Sequence, residues 1–389
     1  MVARSIGACA GYWTSTTRAG YAGDDIPKAV FPTTFGYTTH YSGDENNKEV
    51  RIHLGDEGVS LWRDGMEVGN PSRTALVSFL DKSRDSKVHG LSSLRLDPCS
   101  AIINHAINRS LHCDPAEHPV LMTEPAWNTQ ANRERMAEIL FEEFQVQHFI
   151  SPTMVCLART ALVIDIGKSV ASVVPVSDGF VLRKGIAQSP LPPLAQTTAF
   201  TMLSNGNANV GRPGASLVPH QLIASKQPVE VNMPPLHCGR SASQGQPKHG
   251  YRGPKREVEE WINGCVGVLD QGWNDQHAAM RPPRHYEFRR DSARCFRLNA
   301  SYLEKCTLRT IILDLLPGMA DRINNELMRL AGGIQSKLKI HAPGNPSERR
   351  FAPWLGGSIL ASLGTFHQLW ISKEEWKEHG PNIVAQRCK

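Results

Sequence analysis

Along residues 342–376 the apolar positions keep helical spacing. Ile359, Leu363, Phe366 and Trp370 stand at i, i+4, i+7 and i+11, and Leu360 and Leu369 widen the stripe. Ahead of it, Pro343-Gly344-Asn345-Pro346 reads as a turn, Gly356-Gly357 as a second break, and Ser358 is placed to cap the helix. Behind it, Ser372 and Glu375 have the spacing of a capping box for another helix, which Gly380-Pro381 ends. Ile102, Ile103, Ala106 and Ile107 predict a helix over 101–111. Residues 118–125 read as a buried strand running into a turn, and Asn128-Thr129 cap a helix that carries Met136, Ile139, Leu140 and Phe144. Residues 162–166 form an apolar strand ending at Asp165-Ile166-Gly167. A strand over 170–176 follows, and Ser177-Asp178-Gly179 turns it back as a hairpin. Strand-like pieces at 51–54 and 59–62 lie in a polar stretch, 36–71, whose His40 and His53 read as surface residues. A strand over 310–315 precedes a helix over 323–330. Strands alternating with helices make this an α/β pattern.

The pattern fades between residues 188 and 308, where Pro190, Pro192, Pro193 and the runs 205–211 and 241–253 read as loop. The whole chain, 389 residues, is long enough to bury a sizeable core, and 40% hydrophobic with 21% charged residues fits a soluble globular protein. No apolar run reaches the length of about 18 residues that would span a membrane, and residues 1–17 lack the apolar core of a signal peptide. Nine cysteines with no C-x-x-C pair support neither a zinc site nor a disulfide framework, and favour a reducing compartment. A net charge of +6 is a solvated surface unless it is clustered, so direct DNA contact does not follow from it. The basic run 252–256 reads either as an import patch or as a solvated loop.

The string WLGGSILASLGTFHQLWISKEEW, residues 354–376, resembles the C-terminal signature of the actin and actin-related protein family. TTRAGYAGDDIPKAVFP, residues 16–32, resembles a family segment near the N-terminus. The resemblance implies an actin-like fold of the ribonuclease-H-like superfamily that includes hexokinase: two α/β lobes around a central cleft. The first lobe would comprise 1–158 and 350–389 with a small outer subdomain over about 36–71. The second would comprise 159–349 with an eroded insert over about 188–308. Trp127 in Glu124-Pro125-Ala126-Trp127-Asn128, Ser151-Pro152-Thr153 and the fragment 217–229 resemble the nuclear branch of the family, the actin-related protein 4 group of chromatin complexes.

The same resemblance bears on nucleotide chemistry. Family members wrap backbone N–H groups and a hydroxyl of a D-x-G-S/T turn around phosphates. Here that place reads Gly11-Tyr12-Trp13-Thr14, with a bulky ring where backbone must approach phosphate and no carboxylate to organise a metal's water shell. A second turn is kept as Asp165-Ile166-Gly167, but Lys168 stands where actin has a metal-organising aspartate. A lysine binds phosphate as a point charge and cannot orient water on a divalent cation. Thr153 falls where a glutamine positions the attacking water, and is too short for that role. Leu313-Asp314-Leu315-Leu316 replaces a glycine pair that cradles the nucleotide. The resemblance therefore implies at most structural ATP, held by Thr14, Asp165, Gly167, Lys168 and Arg350, with no catalytic residue and no metal site.

Three readings compete. The first is a non-catalytic nuclear subunit of histone-acetyltransferase and ATP-dependent remodelling complexes, acting in chromatin organisation, transcription and DNA repair. Its implied partners are an actin monomer, a long helix of a scaffold or motor subunit, and histones or the nucleosome. The partner helix is expected to lie on exposed apolar surface near Trp376. The second is a cytoskeletal, ATP-hydrolysing actin, opposed by Gly11, Trp13, Thr153 and Lys168. The third is a sugar or acetate kinase of the same superfamily, opposed by the C-terminal signature.

Overall fold

A computed structural model describes residues 6–9, 16–41, 48–59, 61, 63–69, 98–152, 160–166, 170–190, 223–227, 236–239, 268, 270–272, 274, 276, 280, 318–331, 340–341 and 345–388. The chain divides into two compact units. One comprises Met1–Asp165, Ser172–Gln188 and Phe351–Lys389, the other Ile166–Ala171 and Ser189–Arg350.

The first unit is built on a six-stranded mixed sheet. Its strands are β1 (Ile6–Cys9), β2 (Thr16–Tyr21), β3 (Ala29–Pro32), β7 (Val120–Leu121), β8 (His148–Ile150) and β15 (Ile371–Ser372), in the order β15-β8-β7-β1-β2-β3. β1 runs parallel to β7 and antiparallel to β2, with Ala8 opposite Ala19, so β7 and β1 form the centre. β15, from the end of the chain, closes the edge antiparallel to β8. Helices α1 (Pro98–Asn104) and α2 (Gln130–Glu138) pack on the sheet with Ile102, Ile103, Ile107, Met136, Leu140 and Phe141 in the core. Thr129 caps α2 as its spacing predicts, its hydroxyl accepting from the Asn132 N–H. Both helices widen into π turns, His105–Ser110 and Ile139–Glu143, and His112 and Gln145 leave them with positive φ. Beneath them, Arg133 and Glu124 form a buried ion pair, and Asn128 donates to the other carboxylate oxygen.

A three-stranded antiparallel sheet covers the polar stretch: β4 (Phe35–Tyr41) between β5 (Lys48–His53) and β6 (Glu67–Gly69). β5 meets the expectation for 51–54. Of the piece 59–62, Val59 lies in a turn and Leu61 in a bend, while Ser60 and Trp62 lie outside the described residues; a 3-10 turn, Gly55–Glu57, precedes them, and Gly55 and Gly65 both take positive φ. His40 is exposed, but His53 is half-buried and bonded to Thr38 at 3.0 Å, so only the former is a surface residue.

The hairpin prediction holds. In a four-stranded sheet, β10 (Val170–Ser177) pairs with β9 (Ala161–Ile166), β11 (Phe180–Val181) and β12 (Ala187–Pro190). Asp178 and Gly179 have φ of 51° and 83°, the two consecutive positive values of a type I′ turn. The second unit contains β13 (Ile223–Gln227) antiparallel to β14 (Leu236–Gly239), and α3 (Met319–Ala331). α3 starts four residues before the predicted boundary of 323. Its entry is a Gly318 with φ of 85° pressed on the Val268 carbonyl, and Asn325 donates to the Asp270 carbonyl at 2.8 Å.

The C-terminal stretch departs most from its sequence pattern. α4 (Pro346–Ser362) begins where the Asn345 side chain accepts from the Ser347 N–H, with proline in the first turn, and runs unbroken through Gly356-Gly357. Ser358 therefore caps nothing. Its hydroxyl accepts from the Gly23 N–H and donates to the Asp24 carbonyl, both at 2.9 Å, tying α4 to the loop after β2. The helix ends at Ser362, and a 3-10 segment, Gly364–Leu369, changes the phase of the stripe. Phe366 and Trp370 reach the core while Ile359, Leu363 and Leu369 remain exposed. The capping box forms as expected: Ser372 and Glu375 bond reciprocally at the start of α5 (Lys373–His379), and Gly380, with φ of 59°, ends it before α6 (Asn382–Arg387).

Candidate functional site

β2 is buried along nearly its whole length, yet its third residue is an arginine. Arg18 is 7% exposed, and its guanidinium carbon lies 5.6 Å from the ring centroid of Phe351 in α4. The flat cation thus stacks on an aromatic face, an arrangement that a lysine reproduces less well. Next to it, the Thr17 and Thr33 hydroxyls bond at 3.1 Å and hold β2 to the end of β3. Asp165 lies near the end of β9. Burial pushes its carboxyl up to about 6, and the Arg18 charge pulls in the opposite direction.

Of the five residues expected to contact a nucleotide, Thr14, Gly167 and Lys168 lie outside the described residues, as do Thr153 and the stretch 252–256. Asp165 belongs to the first compact unit; Arg350 is an exposed residue of α4 in the second. Arg18 and Phe351 were not anticipated. The signal for Arg18 was present: a cation inside a strand that is otherwise small and apolar needs a counter-charge. Phe351 carried no local signal. Phosphate brought to Arg18 would meet a guanidinium already stacked on Phe351. Among the described residues, no group of three or more His, Cys, Asp or Glu side chains could hold a metal ion, and no helix is long and apolar enough to cross a membrane.

The surface near Trp376 differs from the expected apolar one. Trp376 is itself buried, stacked on Phe141 with centroids 5.4 Å apart. The two rings form the floor of an open groove of about 750 Å³ between α2 with its π turn and α5, walled by Glu134 and Glu138 on one side and Lys373 and Lys377 on the other. In the C-terminal stretch the exposed large apolar residues are instead Ile359, Leu363 and Leu369.

Comparison with known proteins agrees with this architecture. The chain matches the actin family profile over residues 12–293 and 313–389. It is 33% identical to a protein named actin-related protein 4 from Emericella nidulans, over 96% of this chain and 94% of that protein. It is 28% identical to an Arabidopsis thaliana protein of the same name, over 96% of each. A Schizosaccharomyces pombe protein named as a subunit of the SWI/SNF and RSC complexes is also 28% identical, again over 96% of each.

Proposed function

The chain belongs to the actin family, with an actin-like fold and relatives of the actin-related protein 4 group, and on that premise we propose that it is a non-catalytic subunit of nuclear chromatin complexes. The observation that carries this reading is similarity over nearly the full length of both chains to proteins so named, one of them a chromatin-remodelling subunit by name. In this role the chain works in the nucleus as a structural module of histone-acetyltransferase and remodelling assemblies, beside an actin monomer. It receives a helix of a scaffold or motor subunit and contributes to contacts with histones or the nucleosome.

Absence of turnover is supported by the residues at the phosphate turns. Gly11 stands where the family has a carboxylate, Trp13 where it has a glycine, Lys168 where it has a metal-organising aspartate and Thr153 where it has a water-positioning amide. Catalysis of phosphoryl transfer is almost entirely positioning and charge stabilisation, so loss of these groups removes its means. For the partner helix, the exposed Ile359, Leu363 and Leu369 supply apolar anchors that the buried Trp376 does not.

The experiment is affinity isolation of the tagged full chain from nuclear extract, followed by mass spectrometry. Actin together with acetyltransferase and remodelling subunits is the expected recovery. Filament-capping and branching proteins would replace this reading with a cytoskeletal one.

A further inference from the structure

We propose that the groove between α2 with its π turn and α5 is a docking site for an amphipathic helix of another protein, one that carries Lys or Arg along one flank and Asp or Glu along the other. Glu134, Glu138 and Glu142 line one wall at i, i+4 and i+8, and Lys373 and Lys377 line the other at i and i+4. Residues four apart lie on one face of a helix, so each wall is a rail of one sign. The rails do not close on each other. Glu138 is held by Arg135 of its own helix at 2.6 Å, Gln130 donates to Glu134 at 2.9 Å, and the Lys373 ammonium donates to the neutral Gln145 amide oxygen at 2.5 Å. Among the described residues, none of Glu134, Glu142, Lys373 and Lys377 forms an ion pair. The floor adds little apolar area, since Phe141 and Trp376 are buried, so charge rather than a large anchor sets the choice of occupant. A peptide of one sign would be drawn to one rail and repelled by the other; opposite flanks satisfy both. From Glu134 to Glu142 the rail runs about 12 Å, and a helix about 10 to 12 Å across can lay one face into the open volume with a flank against each wall. The groove is lined by none of Ile359, Leu363 and Leu369, and the inference does not rest on complex membership.

The test uses the purified full chain and a displayed library of random peptides of about 17 residues, long enough to form a helix on binding. The expected enrichment is of sequences with basic residues at i and i+4 on one helical flank and acidic residues at i and i+4 on the other. The best of them, made as a synthetic peptide, should bind less tightly as salt rises. Its Kd is then measured on four proteins: the parent, Glu134→Lys/Glu142→Lys, Lys373→Glu/Lys377→Glu, and the chain with all four changes. The first pair makes both rails basic and the second makes both acidic, so each should weaken binding by about tenfold or more, as attraction on one flank turns to repulsion. With all four changes the rails again differ in sign, and the same peptide, turned end for end, should recover to within about threefold of the parent. Such recovery separates charge complementarity from damage to the fold. If a paired variant does not fold, the exposed single changes Glu142→Lys and Lys377→Glu, alone and together, give the same cycle. Equal affinity across the four proteins overturns the inference, as does enrichment of peptides of one sign or with the alternating charges of an extended strand. Tighter binding when both rails are acidic would make the occupant a uniformly basic segment instead. Loss with Leu363→Asp but not with the rail variants would place the peptide on the Ile359 face, and also overturns it.

Discussion

An alanine at Gly20 would collide with the largest of the fully buried side chains among the described residues, Trp354. A Cβ there would sit 2.7 Å from Cζ2 of Trp354, 3.1 Å from the Lys28 backbone nitrogen and 3.3 Å from Cα of Pro27. The first distance is well inside van der Waals contact, and Trp354, at 0% exposure, has no free volume to swing into. Overpacking of this kind costs about 1 to 3 kcal/mol, and three-sided crowding places Gly20→Ala toward the upper end. Truncating the partner acts in the opposite sense: Trp354→Ala is expected to cost about 3 to 5 kcal/mol. Trp354→Phe removes the ring edge that meets Gly20 at a smaller cost, about 1 to 3 kcal/mol by the same cavity argument. In the double variant Gly20→Ala/Trp354→Phe the new methyl occupies space that the indole vacated, so the two costs should fall short of their sum by about 1 to 2 kcal/mol. Rescue stays incomplete because Lys28 and Pro27 still crowd the methyl. Urea unfolding followed by far-ultraviolet circular dichroism, with m checked across all four proteins, gives the cycle. Additivity within about 0.5 kcal/mol would refute the packing of Trp354 on Gly20.

Four further outcomes are expected. Arg133→Met should destabilise by about 3 to 5 kcal/mol, since it leaves the Glu124 carboxylate in the core without its buried partner; a change below 1 kcal/mol, about the value of a surface pair, in the same unfolding assay would mean the pair is solvated. Ser372→Ala should cost about 1 kcal/mol through loss of the capping box and speed amide exchange in the first turn of α5, measurable by hydrogen exchange and mass spectrometry. The thiol of Cys388, buried and pushed up to about 11, should resist iodoacetamide in the folded chain at pH 8 and react on unfolding, as peptide mapping would reveal. A phosphate-release assay with the purified chain should read background, and turnover abolished by Asp165→Ala would contradict the proposed function.

Features set by neighbours in sequence were legible before any coordinates: the Thr129 cap, the Asp178-Gly179 turn, and the Ser372/Glu375 box each depend on residues within four positions. Ser358 was misread because a glycine pair followed by serine has the local form of a helix start. Each interior glycine costs about 1 kcal/mol against alanine, yet α4 continues through both. Part of the compensation is tertiary: Ser358 bonds to Gly23 and Asp24, more than 330 positions away. The stripe erred for a related reason. Period 3.6 holds only while the helix does, and beyond Ser362 the tighter 3-10 turn points Phe366 and Trp370 inward and leaves Leu363 outside. At the candidate site, Asp165 was legible from its strand-end motif. Arg18 had to be recognised from its interior position, and Phe351 only from the fold.

Because β15, α5 and α6 come from the last residues of the chain, synthesis itself delays completion of the first unit. The sheet edge at β8 and the Phe141 ring have no C-terminal cover while the segment from Ser189 to Arg350 is still being made, about 160 residues. At elongation rates of about 5 to 20 residues per second, that interval lasts about 8 to 30 s. Through it the nascent chain offers a bare strand edge and unburied aromatics, the conditions under which chains aggregate. A ribosome-bound chain stalled before residue 351 should accordingly recruit holdase chaperones, and release them once Trp376 and Ile371 have emerged and docked.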